Sequence, residues 1–106
     1  MADNEGLSLV DLVSGFRTQF KDTIKPFISK QEYLGAKLEM IQMCVHLSEH
    51  YEEIKRYHSG DNCLASAIVL RDLLQKGSTH LDLAIRYVEA GLAQLYLAIK
   101  SGNKFY

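Results

Sequence analysis

Tryptophan is absent from this sequence, proline occurs once and cysteine twice. With one proline and seven glycines the chain has few breakpoints. That excludes a many-turned β-sandwich and leaves long helices. Two cysteines, Cys44 and Cys63, are too few for the disulfide framework of a small secreted domain. An excess of either charge is also missing. Twelve Lys and Arg stand against thirteen Asp and Glu, for a formal net charge of −1, so bulk charge offers nothing to DNA or RNA. No apolar run reaches the roughly 18 residues of a membrane helix. The acidic opening Asp3-Asn4-Glu5 is no signal peptide. What is present, 47% hydrophobic and 24% charged residues among 106, is a globular mixture sufficient for one domain. The expectation is a single cytoplasmic all-α domain over residues 1–106, with no membrane contact.

Apolar spacings of three and four, punctuated by caps, divide the chain into four helices. The first, about 9–24, follows the capping box Ser8-Leu9-Val10-Asp11 and carries Leu9, Leu12, Val13, Phe16, Phe20 and Ile24 on one face. Pro26 should stop it near Thr23 or Ile24, because proline lacks an N–H and biases Lys25 away from helical angles. The second, about 30–57, starts from a box at Ser29-Lys30-Gln31-Glu32. Its stripe is Leu34, Leu38, Ile41, Val45, Tyr51 and Ile54, widened by Met40, Cys44 and Leu47, with Ser48 as the weak point. Unbroken, it would be about 40 Å long.

Ser59-Gly60-Asp61-Asn62 is the clearest turn, with Asp61 or Asn62 able to cap a third helix over about 63–76. Residues 63–70 are apolar nearly all round, which predicts burial on more than one side. Gly77 suits the left-handed residue that ends a helix. The box Thr79-His80-Leu81-Asp82 opens a fourth helix over about 80–101, with a stripe of Leu81, Ile85, Val88, Leu92, Leu95 and Ile99 closed by Gly102. Gly91 inside it permits a close helix–helix approach or is a neutral substitution. Four amphipathic helices with short connections predict an antiparallel bundle. The long second helix and the apolar run 63–70 offer surface for a homo-oligomer.

Chemistry-bearing patterns are few. His46-Leu47-Ser48-Glu49-His50 matches H-x-x-E-H, in which two histidines a helical turn apart hold zinc and the glutamate activates water. A protease of that class needs a third ligand and a large cleft, and a simpler metal site would use His46, His50 and Glu49 or Glu53. The competing reading is a solvated polar face of His46, Glu49, His50, Glu53 and Arg56, and it is preferred, with no metal and no other cofactor. Glu49, Glu52, Glu53 and Asp72 suggest the magnesium-binding helices of nucleotide pyrophosphohydrolases, but Asp72 lacks a second acid to pair with. Cys44 and Cys63 read as core thiols. No Gly-x-Gly-x-x-Gly, Walker loop or Gly-x-Ser-x-Gly occurs, so a catalytic set is not expected. The last helix and tail gather Arg86, Tyr87, Tyr96, Lys100, Lys104, Phe105 and Tyr106. Arginine and lysine can meet a phosphate, and tyrosine can stack on a base or anchor a protein interface.

Gly91-Leu92-Ala93-Gln94-Leu95-Tyr96-Leu97-Ala98-Ile99, followed by Phe105, resembles the last helix of small phage proteins that sequester cyclic oligonucleotide signals. Gly91, Leu95, Ala98, Ile99 and Phe105 carry the match. The family's tryptophan is missing here, and Gly102 stands where its proline falls. The resemblance implies a non-enzymatic sponge for a cyclic nucleotide signal in a bacterial or phage-infected cell. The residues themselves nominate Arg86 or Lys100 for phosphate and Tyr87 or Tyr96 for the base. The alternative is an inhibitor that binds a target protein, on the architecture of bacteriocin immunity bundles, with the same aromatics as anchors.

Overall fold

The computed structural model describes residues 8–30 and 32–105, apart from the side chains of Tyr33 and Leu34. Gln31 of the second box, the Leu34 side chain, the opening 3–5 and Tyr106 therefore fall outside the described residues. The chain is an all-helical single domain, and among the described residues the only β pairing is an isolated bridge.

Helix α1 spans Leu9–Gln19 and begins as its capping residues require. The Ser8 hydroxyl oxygen accepts from the Asp11 N–H at 3.3 Å and donates its own proton to Asp11 Oδ2 at 2.9 Å. Pro26 does not stop the path. A π-helical turn, Phe20–Ile24, leads directly into a short helix α2, Lys25–Ser29, with the proline in its first turn. There the missing N–H needs no partner, and the wider π turn spares the preceding carbonyls a collision with the proline ring. Phe20 and Ile24 stay buried.

The long second helix is instead three pieces. Ser29 donates back to the Lys25 carbonyl, so it closes α2 rather than capping a new helix. A 3-10 turn, Tyr33–Ala36, follows, with the Phe27 ring lying so close to Gly35 that any side chain there would strike it. Helix α3 spans Lys37–Glu49 and breaks at His50 (φ −106°, ψ 23°) before a single turn α4, Tyr51–Ile54. The break falls where side chains compete for the carbonyls of the ladder. Ser48 bonds the Cys44 carbonyl at 3.1 Å, and His50 Nδ1 lies 3.0 Å from the His46 carbonyl oxygen. The buried face differs too. Ala36, Met40, Met43, Cys44, Leu47 and Ile54 point inward, whereas Leu38 is 64% exposed and Tyr51 47%.

Helix α5 spans Gly60–Gln75, one turn earlier than the turn residues imply. Ser59 adopts a left-handed conformation (φ 71°), and its carbonyl accepts from the Cys63 N–H at 3.0 Å, so neither Asp61 nor Asn62 is the cap. Cys63, Leu64, Ala67, Leu70 and Leu74 are buried, but Ile68 is 56% and Val69 52% exposed. The apolar run is thus half covered by its own chain. Gly77 (φ 73°) and Gly102 (φ 68°) end α5 and α6 in the left-handed region, as glycine allows. Helix α6 spans Asp82–Lys100, starting two residues after the expected point. The Ser78 hydroxyl accepts from His80 in a local turn, and the first helical bond runs from Ile85 to the Leu81 carbonyl.

Helix α6 packs on both α5 and α1, and α3 packs on α5 and touches the π turn. Gly91 lies against Cys63, where an added Cβ would come within 3.1 Å of the Cys63 Cα, so this glycine serves close helix approach. Burial of Val13, Met40, Leu47, Leu70, Val88, Leu92 and Leu95 holds the layers together, at about 1.5–3 kcal/mol for each large side chain. Residues 103–105 return to the α4–α5 joint. His58 donates to the Asn103 carbonyl at 3.0 Å and Phe105 to the Arg56 carbonyl at 2.8 Å.

Candidate functional site

Two helical stripes meet along the seam between α1 and α6. On the first, Ser14, Arg17, Thr18, Lys21 and Lys25 recur at three- and four-residue steps and continue through the π turn. On the second, Glu89, Leu92, Ala93 and Tyr96 repeat the same spacing, with Lys100 one turn further on. These stripes line an open groove of about 570 Å³ whose floor includes Phe20, a size within the ~300–1,000 Å³ of small-molecule sites.

The groove is cationic and has an aromatic face. The Arg17 guanidinium carbon sits 4.9 Å from the centre of the Tyr96 ring, and Lys100 Nζ 5.8 Å from it. Such contacts hold both cations over the ring's negative face. Lys25 Nζ pairs with Glu89 Oε2 at 3.0 Å. Among the described residues neither Arg17 nor Lys21 has a carboxylate partner. Three cations against one carboxylate leave the groove able to receive an anion, with Ser14 and Thr18 beside them as hydroxyl donors.

The four residues nominated from the sequence do not share one place. Tyr96 lines this groove, and Lys100 stands at its edge over the Tyr96 ring without lining it. Arg86 lies one basin further along the same face of α6, beside Lys25 and Glu89. Tyr87 faces another side of α6, in a shallow hollow with Ser66, Ala90 and Gln94 against α5, and it cannot join Tyr96. Sequence reasoning missed Arg17, Lys21, Lys25 and Glu89. The signal of the first three was present as a basic i, i+4, i+8 stripe, hidden by the expectation that Pro26 ends the helix before Lys25 matters; Glu89 had none.

The other clusters are engaged elsewhere. His46 Nδ1 meets Glu49 Oε1 at 3.0 Å, and its ring stacks near Phe16 with centroids 6.2 Å apart. His50 is the residue at which α3 breaks, and its Nδ1 lies against the His46 carbonyl oxygen. Among the described residues no three His, Cys, Asp or Glu groups converge to hold a metal ion. Asp72 pairs with Lys76 at 2.9 Å and Glu52 with Lys55 at 2.7 Å. The hydrogen bond and charge of Lys55 hold the Glu52 carboxyl below its ordinary range. Burial pushes the Cys44 thiol up to about 11, against a small opposing pull from Arg71. Burial likewise pushes Cys63 up to about 12, with Cys44 adding to the rise. Both therefore stay protonated near neutrality, and neither is an activated nucleophile. Among the described residues no helix is long and apolar enough to cross a membrane.

Compared with known proteins, the chain matches no family model, no curated protein and no solved structure.

Proposed function

We propose that the protein is a cytoplasmic, non-enzymatic binding protein whose groove between α1 and α6 takes a phosphorylated planar ligand, in the manner of a sponge for a cyclic nucleotide signal. One observation carries the reading: Arg17 and Lys21, without carboxylate partners among the described residues, share a groove with the Tyr96 ring. The cations would meet phosphate oxygens, and the ring would stack on the base, a contact worth about 1–3 kcal/mol. Of the residues nominated from sequence, Tyr96 and Lys100 keep their roles, Arg86 serves the neighbouring basin, and Tyr87 has none in this groove. In this reading α1, α3, α5 and α6 form an antiparallel four-helix bundle that pairs with further copies through the exposed Ile68 and Val69.

Calorimetry against cyclic di- and trinucleotides tests the proposal. Binding is expected, with Arg17→Gln and Tyr96→Ala each weakening it at least tenfold, and the ligand recovered unaltered after heat denaturation. Conversion to a linear product would make the protein an enzyme, and no binding across the panel would end the sponge reading. A second reading, an inhibitor that binds a target protein, is favoured by Leu83, Tyr87 and Leu97, which remain 58–63% exposed on α6. Under it, Tyr87→Ala would reduce partner binding and no nucleotide would bind.

A further inference from the structure

The groove does not end at the Lys25–Glu89 pair. Beyond it lies a second basin of about 440 Å³, to which Ile28, Ser29, Asp82 and Arg86 contribute, and the two basins share Phe20, Lys25 and Glu89. The ion pair is therefore a crossbar between them. The basins differ in charge. Arg17, Lys21 and Lys25 face one carboxylate in the first, whereas Lys25 and Arg86 face two, Asp82 and Glu89, in the second.

Resting on the anion-site reading above, we propose that Glu89 is the specificity-determining residue of this groove. Its carboxylate limits the negative charge a ligand can bring and selects compact monophosphate or phosphodiester ligands over polyphosphates. A phosphate seated by Arg17 and Lys21 has Ser14 and Thr18 beside it, and the one carboxylate of that basin, Glu89, is held by Lys25. A chain of further phosphates running along the seam must displace Glu89 from Lys25 and then lie between the carboxylates of Glu89 and Asp82. Like charges brought together in one basin repel even at the solvent-screened effective dielectric of partly exposed groups. The uncharged or amine-bearing end of a ligand suits the second basin, where two cations stand with two carboxylates. Selection thus comes from a repulsive element placed next to the attractive one.

Calorimetry with AMP and ATP in EDTA tests this on the whole chain, using Glu89→Gln and Arg17→Gln. Glutamine keeps the size of the side chain, and Glu89 is 44% exposed, so the fold is retained, which equal melting temperatures check. The wild type is expected to bind AMP at least as tightly as ATP. Glu89→Gln should tighten ATP about tenfold while changing AMP less than threefold. If both nucleotides bind, Arg17→Gln weakens both and Glu89→Gln leaves their ratio unmoved, the role of Glu89 is overturned while the anion site stands. If neither nucleotide binds to the wild type or to Glu89→Gln, the anion site itself is wrong, and the inference goes with it.

Discussion

Replacing Gly60 by alanine isolates one steric contact. A Cβ built at Gly60 runs into the Ile54 carbonyl oxygen and lies 2.9 Å from its carbon. Neither atom can yield easily. Ile54 is fully buried, its carbonyl accepts from the Tyr57 N–H at 3.1 Å, and the joint is tied to the C-terminal tail through His58. Overpacking a fixed core costs about 1–3 kcal/mol, and contact with backbone rather than a flexible side chain places this case near the top of that range. Loss of glycine freedom in the unfolded chain returns less than about 1 kcal/mol. The net expectation is a destabilisation of about 2 kcal/mol, or a fall in Tm of about 8–16 °C for a domain of this size. Gly15→Ala supplies the opposite sign: its Cβ would meet nothing within 4 Å, and the site is exposed inside α1. Removing glycine there should stabilise by about 0.5–1 kcal/mol. Urea titration followed by far-ultraviolet circular dichroism reads both. A Gly60→Ala protein as stable as the wild type would refute the close approach.

The buried thiols give a second test. At pH 8 Ellman's reagent should leave Cys44 and Cys63 unmodified in the native protein over a time in which both react in urea. Rapid native labelling would contradict their burial. Stability should also fall with alkalinity. Below the ordinary thiol value of 9.0 both states hold their protons. Above it the unfolded chain releases protons that the folded chain keeps until about 11 for Cys44 and about 12 for Cys63. The slope is at most about 1.4 kcal/mol per pH unit per thiol, and a Cys44→Ala/Cys63→Ala protein should show a shallower decline. Self-association is tested by sedimentation at micromolar concentration. The wild type should run heavier than its 12.0 kDa mass and Val69→Lys at the monomer mass, whereas a single monomeric wild-type species would exclude the interface.

The parts of the fold written in local chemistry were legible. Ser8 caps α1, Gly77 and Gly102 end α5 and α6, and the stripe from Ile85 to Leu95 is buried as its period requires. Residues 30–57 were not, because α3 offers two stripes with the same helical period. One runs through Leu38, Ile41 and Val45, the other through Met40, Met43 and Leu47. Only the neighbouring helices decide which turns inward, and they select the second. Gly35 and His50 interrupt that stretch through contacts made by Phe27 and by the His50 ring, which spacing does not encode. The site was half legible for a similar reason. Tyr96 and Lys100 advertise their chemistry, but their partner Arg17 lies far away in sequence on a helix that reads as ordinary amphipathic surface.

The π turn at Phe20–Ile24 behaves as a one-residue insertion into a helix that otherwise runs from Leu9 to Ser29. Each helical residue advances the backbone by about 100°, so a regular helix would carry Lys25, eight positions after Arg17, about 80° round from it. The wider turn absorbs one of those steps and returns Lys25 to the seam, where it reaches Glu89, its partner 64 positions away. The register of this single turn therefore decides whether the basic stripe of α1 extends as far as the crossbar. Held as regular α-helix, the same sequence would divide the groove's cations into two unrelated sets.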